Sequence, residues 1–153
     1  MIVYRFSAPK YAGDLSGTGA RLKGGRWNPP GIAVVYGSEH VSLALLEVLA
    51  NAGTLEEIEL LQLIEIEVPD NAVYEIKASG LKDEWWFDFH YTQWLGEQIL
   101  RQNKSLIIKC PSAIVQQEFN YLLNPNHVSF DKIKVKTASE FHFDPRLFKQ
   151  SAP

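Results

Sequence analysis

Ile64-Glu65-Ile66-Glu67-Val68 alternates apolar and acidic residues one by one. A period of two belongs to a β-strand with one dry face and one wet face. The pattern returns near the far end of the chain, where Ile133, Val135 and Thr137 alternate with Lys132, Lys134 and Lys136. The two wet faces carry opposite charge, Glu65 and Glu67 against Lys134 and Lys136. Cross-strand neighbours would pair them; two unrelated solvated faces give the same pattern and are the plainer reading. Working outward, strands are expected over Ile2–Phe6, Ala33–Tyr36, Glu59–Val68, Ser105–Lys109 (closed by Pro111), Phe119–Leu123 (ended by Asn124-Pro125) and Ile133–Thr137. Leu43, Leu46 and Ala50 recur at helical spacing and predict a helix over Ser42–Asn51, with Gly53 as its stop. A second, aromatic-rich helix is expected over Phe87–Gln102. Ser7–Asn28 holds five glycines without periodicity and reads as a loop. Strands outnumber helices in an irregular order, with no repeat and no linker. The class is α+β, in one unit over residues 1–153.

Composition narrows the function classes. The chain has 153 residues, 46% of them hydrophobic, and eighteen aromatics, which excludes a disordered chain. Net charge is −3 and the pI about 5.8, so a general nucleic-acid binder is disfavoured. Cys110 is the single cysteine. It excludes an intrachain disulfide and sulfur-based metal chemistry, and fits a reducing compartment. The N-terminus lacks the apolar core of a signal peptide. The longest apolar stretch, Leu43–Ala50, is interrupted by Glu47 and far too short for a membrane span. A soluble, cytoplasmic protein is expected. The mean charge hides an asymmetry: Met1–Arg26 carries +4, Thr54–Glu75 carries −7. The cationic segment suits an anionic small molecule better than a long polymer.

Five positions stand out chemically. In Gly24-Gly25-Arg26-Trp27-Asn28, twin glycines permit close backbone approach and precede a guanidinium able to fork onto phosphate or carboxylate; a glycine turn with a surface arginine is the plain alternative. Glu47 lies about 40° around the helix from Leu43, at the edge of the apolar face. A carboxylate there must be paired or poised beside a cleft, unless it is merely marginal. Tyr36 ends a buried strand and offers a ring that stacks on flat ligands or fills a core. Ser112 follows Cys110-Pro111 at a strand end, where serines ordinarily cap turns. Arg5 lies among apolar residues on a short strand and needs a partner. His40, His90, His127 and His142 show no ligand spacing, so no metal is assigned. Trp85-Trp86-Phe87, with Phe89, Tyr91 and Trp94, reads as core or as an oligomer interface.

In order and spacing, Gly24-Gly25-Arg26-Trp27-Asn28, Val34-Val35-Tyr36, Leu45-Leu46-Glu47, Pro111-Ser112 and Asn120-Tyr121-Leu122-Leu123-Asn124-Pro125 resemble the RES domain, named for an arginine, a glutamate and a serine. Tyr4-Arg5-Phe6 and Asp144-Pro145-Arg146-Leu147-Phe148 extend the resemblance over nearly the whole chain. It implies an ADP-ribosyltransferase-like fold, a mixed β-sheet core with a few flanking helices. It implies a toxin of a bacterial toxin–antitoxin pair, partnered by an Xre-type helix-turn-helix antitoxin and acting on NAD as its substrate. By this resemblance Glu47, Arg26, Tyr36 and Ser112 are the catalytic set, and Arg5, Arg26, Tyr36 and Asn120 bind NAD.

That chemistry suits the residues. Breaking the nicotinamide–ribose bond builds positive charge on the ribose while nicotinamide leaves neutral, so one carboxylate suffices. Glu47 would stabilise the cation, Arg26 and Arg5 would hold phosphates, Tyr36 would stack on nicotinamide, and Ser112 would hydrogen-bond the amide or the ribose. The acceptor, whether water, phosphate or a protein side chain, has no signature in the sequence. A non-enzymatic nucleotide- or RNA-binding module is the alternative from another class. Self-association through the tryptophans is a further expectation.

Overall fold

The computed structural model describes residues 1–148; the last five residues of the expected unit lie outside the described residues. Seven strands form one sheet: β1 (Ile2–Ser7), β2 (Val35–Ser38), β3 (Gln62–Glu67), β4 (Val73–Glu75), β5 (Ile107–Pro111), β6 (Phe119–Leu123) and β7 (Lys134–Glu140). Their order is β4-β5-β6-β2-β1-β3-β7. Only β4 and β5 run parallel among these pairs, so the sheet is mixed. Among the described residues three α-helices flank it: α1 (Thr18–Lys23), α2 (Val41–Asn51) and α3 (Phe89–Arg101). This is the expected α+β architecture. No helix of the described residues is long and apolar enough to cross a membrane.

The pleat sorts the core into two layers. Val35, Ile107, Tyr121 and Leu123 join Val3, Ile64 and Ile66 on one side. Their immediate chain neighbours Val34, Ile108 and Leu122 join Cys110, Trp27, Trp85 and Leu100 on the other. Consecutive residues thus serve opposite layers, which is why Ile107-Ile108 and Leu122-Leu123 are apolar without alternation: both faces of these strands are covered. α2 packs along β1 and β2 and buries Leu43 and Ala44.

The opposite charges of the two alternating strands meet. β3 and β7 are antiparallel neighbours, and Glu67 stands opposite Lys134. A bulge between Glu65 and Ile66 sets Glu65 opposite Thr137 instead of Lys136, and the Thr137 hydroxyl donates to the Glu65 carboxylate. The bulge inserts one extra residue, and that shift puts a hydroxyl rather than an ammonium opposite Glu65.

Several boundaries differ from expectation. Ser7–Asn28 is not loop throughout: it contains a 3-10 turn over Pro9–Tyr11 and the helix α1. α1 buries none of its residues, so it has no apolar period to read, and it runs between Gly17 and Gly24, both with positive φ. β2 begins and ends two residues later than Ala33–Tyr36 and takes in Gly37 and Ser38. β3 starts only at Gln62 because Glu59–Leu61 lie in a turn. β5 runs through Pro111, which pairs with Phe119 at the strand's last position, where a missing N–H is tolerated. β4 escaped the reading: it is three residues long, mostly exposed, and pairs with β5.

At Gly96, α3 meets the backbone of Trp27 at close range. A Cβ placed there would lie 1.7 Å from the Trp27 carbonyl oxygen and 2.7 Å from its carbon. Backbone atoms cannot yield as a side-chain tip can. Gly96→Ala should therefore destabilise the fold by about 2–4 kcal/mol, measured by chemical denaturation. An alanine variant of unchanged stability would contradict this packing.

Candidate active site

The site is built from two hydrogen-bonded groups on one face of the sheet. The first is the turn after α1. Gly24 closes that helix at φ +74°, its N–H donating to Ala20 O at 2.7 Å. Gly25 and Asn28 then pair through their backbones, placing Arg26 and Trp27 at the tip. Trp27 is buried, stacked at a tilt on Trp85 with centroids 5.7 Å apart. Asn28 is fully buried and organises the turn: its Nδ2 donates to Ala20 O (2.9 Å) and Ile32 O (2.8 Å), and its Oδ1 accepts from Tyr36 Oη at 2.6 Å. Tyr36 Oη in turn accepts from the Trp27 N–H at 2.9 Å. A Cβ on Gly25 would fall 2.8 Å from that hydroxyl, so the second glycine is needed for close approach. Burial pushes the Tyr36 phenol far above its ordinary pKa; it works as a neutral hydrogen-bond post.

α3 grips the same turn from the other side. Thr92 Oγ1 donates to Arg26 O at 2.6 Å, and Gln93 Nε2 donates to Gly25 O (2.9 Å) and Asn28 O (3.1 Å). The Arg26 backbone is thus fixed while its guanidinium reaches outward. Nη1 donates to Trp86 O at 3.1 Å, and the guanidinium lies 4.8 Å from the Phe89 ring centroid, a cation–π distance. Burial pulls the Arg26 pKa below its usual value, and the Glu47 carboxylate acts against that pull. The two groups therefore lie within electrostatic reach of each other.

The second group centres on Glu47, half-buried on α2. Its Oε1 accepts from Asn120 Nδ2 at 2.6 Å and from Ser112 Oγ at 3.0 Å. Ser112 is fully buried and has two roles at once. Its hydroxyl accepts from the Ile114 and Val115 N–H groups (3.1 and 3.2 Å), which is the turn-capping role, and gives its proton to Glu47. Asn120 Oδ1 accepts from Ser38 Oγ at 2.6 Å. Glu47 Oε2 has no hydrogen-bond partner among the described residues. Behind the group, the buried Cys110 thiol is pushed up in pKa by burial, with Glu47 adding to the effect.

The structure therefore brings Glu47, Ser112 and Asn120 together, joins Arg26 to Tyr36 through one turn, and sets Arg26 near Glu47. It does not place Arg5 with them. Arg5 Nη2 donates to Asp14 O at 2.5 Å and Tyr11 O at 3.5 Å, its Nε is buried without a partner, and burial lowers its pKa. Two open surface hollows, of about 670 and 460 Å³, lie elsewhere, one around Met1 and Lys134, the other around Arg21 and Asn124. Sequence reading missed Ser38, Trp86 and Phe89. Ser38 carries no motif, Trp86 acts through its backbone, and Phe89 meets Arg26 only because α3 folds against the turn. The aromatic run divides: Trp85 is core, whereas Phe87 and Trp94 are exposed.

A metal-capable cluster emerges where spacing shows none. Glu39, His40 and Glu118 bring one ligand atom each to within 4.8 Å of one another. His40 Nδ1 lies 2.6 Å from Glu118 Oε1 and 3.4 Å from Glu39 Oε1, and all three side chains are partly exposed. An ion pair with a protonated imidazole accounts for the same geometry.

A guanidinium within electrostatic reach of a carboxylate with one engaged and one unengaged oxygen can bind an anionic group while the carboxylate steadies a developing cation. The chain belongs to the RES family: the RES domain pattern matches residues 2–144. It is 37% identical to Toxin Res of Photorhabdus laumondii, over 97% of this chain and 98% of that protein. It is 37% identical to Toxin Res of Pseudomonas putida, over 97% of this chain and 100% of that one. To the Prs ADP-ribosylating toxin of a Sphingobium species it is 35% identical, over 92% and 90% of the two chains. The mixed sheet with few helices and these relatives agree with an ADP-ribosyltransferase-like fold.

The Tyr36 hydroxyl has a measurable structural share. Tyr36→Phe leaves the Trp27 N–H and Asn28 Oδ1 without their partner in a buried place. It should cost about 1–3 kcal/mol of stability, read by urea denaturation with the fold retained. A cost within measurement error would show that the turn does not depend on that hydroxyl.

Proposed function

We propose that this chain is a toxin that cleaves the nicotinamide–ribose bond of NAD. The observation that carries the reading is Glu47, a carboxylate whose Oε1 is held by Ser112 and Asn120, whose Oε2 is unengaged, and which lies near the Arg26 guanidinium. The relative named as an ADP-ribosylating toxin supports NAD as the substrate. In this reading the N-glycosidic bond breaks with its electron pair going to nicotinamide, which leaves neutral. The ribose carries the positive charge, and Glu47 stabilises it through Oε2 and holds a ribose hydroxyl. Arg26 binds the diphosphate, aided by Arg5 once that side chain is drawn from the Tyr11 and Asp14 carbonyls. The Tyr36 ring stacks on nicotinamide. Asn120 and Ser112 hold Glu47 in place. Water as acceptor releases ADP-ribose and a proton; inorganic phosphate yields the phosphate ester. No step calls for a metal.

Transfer to a protein side chain is the second reading, favoured by the name of the Sphingobium relative. Labelled NAD separates the outcomes. Free ADP-ribose supports hydrolysis, its phosphate ester supports phosphorolysis, and a labelled band in lysate supports transfer. A toxin acting on an ever-present substrate in the cytoplasm needs an inhibitor, and an Xre-type antitoxin whose acidic or C-terminal carboxylate meets Arg26 fits that need. Pairing with a second copy through the exposed Trp94 and Phe87 fits the same surface chemistry.

Glu47→Gln preserves shape and removes charge. It should lower NAD cleavage about 100-fold or more, with folding retained. Arg26→Ala should chiefly raise KM. A near-wild-type rate for the glutamine variant, or NAD levels that stay constant in cells arrested by the toxin, would refute the depletion mechanism.

A further inference from the structure

We propose that Ser38 is a positioning residue for this reaction: its hydroxyl fixes the Asn120 amide so that the amide N–H occupies Glu47 Oε1 and leaves Oε2 to the substrate. The proposal rests on the NAD-cleaving reading.

Ser38 is the last residue of β2 and stands directly opposite Asn120 of β6. Its Oγ donates to Asn120 Oδ1 at 2.6 Å, and the other end of the same amide donates to Glu47 Oε1 at 2.6 Å. Both residues are buried, Ser38 at 4% and Asn120 at 8% exposure, so water does not readily stand in for the hydroxyl. The Cys110 thiol reaches the Asn120 backbone carbonyl, not the amide. Ser38 is thus the partner that the amide oxygen has among the described residues.

An amide held at both ends is a fixed strut; held only by Glu47, it can swing with the carboxylate or turn its N–H onto an arriving hydroxyl group. In either case Glu47 loses its preset orientation at the moment charge develops. A buried carbonyl oxygen left without a donor adds to the cost. Ser38 touches neither the ribose nor the diphosphate in this arrangement. Its effect passes through Asn120 and should fall on turnover more than on binding.

The test is a double-mutant cycle on NAD turnover, with Ser38→Ala, Ser38→Cys, Asn120→Ala and the Ser38→Ala/Asn120→Ala pair, each checked for folding by thermal melting. Ser38→Ala should lower kcat about 3- to 10-fold with KM within about twofold, the scale of one hydrogen bond. Ser38→Cys should match it, because a thiol fills the space but donates weakly. In the Asn120→Ala background, Ser38→Ala should cost less than about twofold. A wild-type rate for the cysteine variant would assign the role to packing. An equal loss with and without Asn120 would show that Ser38 does not act through it. Either result overturns the proposal, as does an unchanged kcat for Ser38→Ala. If the wild-type protein leaves NAD intact, the cleavage reading has failed, and the strut is judged from the Asn120 side-chain 1H–15N pair. Ser38→Ala should move that pair and speed its hydrogen exchange; an unmoved pair overturns the strut.

Discussion

A single carboxylate oxygen, Glu47 Oε1, joins segments far apart in the chain. It accepts from Ser112 at the end of β5 and from Asn120 in β6, and through Asn120 it is linked to Ser38 in β2. A half-buried carboxylate is costly unless donors surround it, and here two buried side chains supply them. The arrangement satisfies one oxygen and leaves the other without a protein donor. Oε2 is not among the buried unpaired side-chain atoms of the described residues, so it faces solvent, where an arriving ligand can reach it.

A second constraint sits on the guanidinium. α3 comes so close to the turn after α1 that residue 96 has no room for a side chain. That closeness lets Thr92 and Gln93 reach the Arg26, Gly25 and Asn28 carbonyls. The backbone of Arg26 is tied down on one side by α3 and on the other by Tyr36 and Asn28. The guanidinium extends beyond these ties and rests on Trp86 O and the Phe89 ring. Neither partner is an anion, so an arriving phosphate would not have to break a salt bridge to claim it.

The sequence made the strands legible wherever one face was wet. Ile64 and Ile66 against Glu65 and Glu67 announced β3, and the opposite charge on β7 proved to face it at Glu67 and Lys134. The bulge that moved Lys136 out of register is a backbone event without a residue signature. α1 was invisible because a helix that buries nothing has no apolar stripe. Of the residues singled out for chemistry, Glu47 was legible from its place at the margin of an apolar helix face, and Ser112 from its place after a strand, where capping and donation to Glu47 turned out to coexist. Arg5 was legible as an arginine in need of a partner, but not which partner, because the carbonyls it found belong to a loop whose path no periodicity encodes. Ser38 and Phe89 became meaningful only through tertiary register.

That register explains how two separately braced groups share one face of the sheet. In β2, Tyr36 and Ser38 point to the same face, one pleat repeat of about 7 Å apart. Tyr36 braces the arginine turn and Ser38 braces the amide that holds Glu47. Opposite them stand Leu122 and Asn120 of β6, and beyond those Ile108 and Cys110 of β5. Leu122 and Ile108 pack under Trp27, whereas Asn120 and Cys110 lie under Glu47. One step along three neighbouring strands thus separates apolar support for the cation from polar support for the anion. A slip of one residue in β2 would turn both braces to the opposite face. The relative placement of the two braces, Tyr36 and Ser38, is therefore set by the register of the sheet.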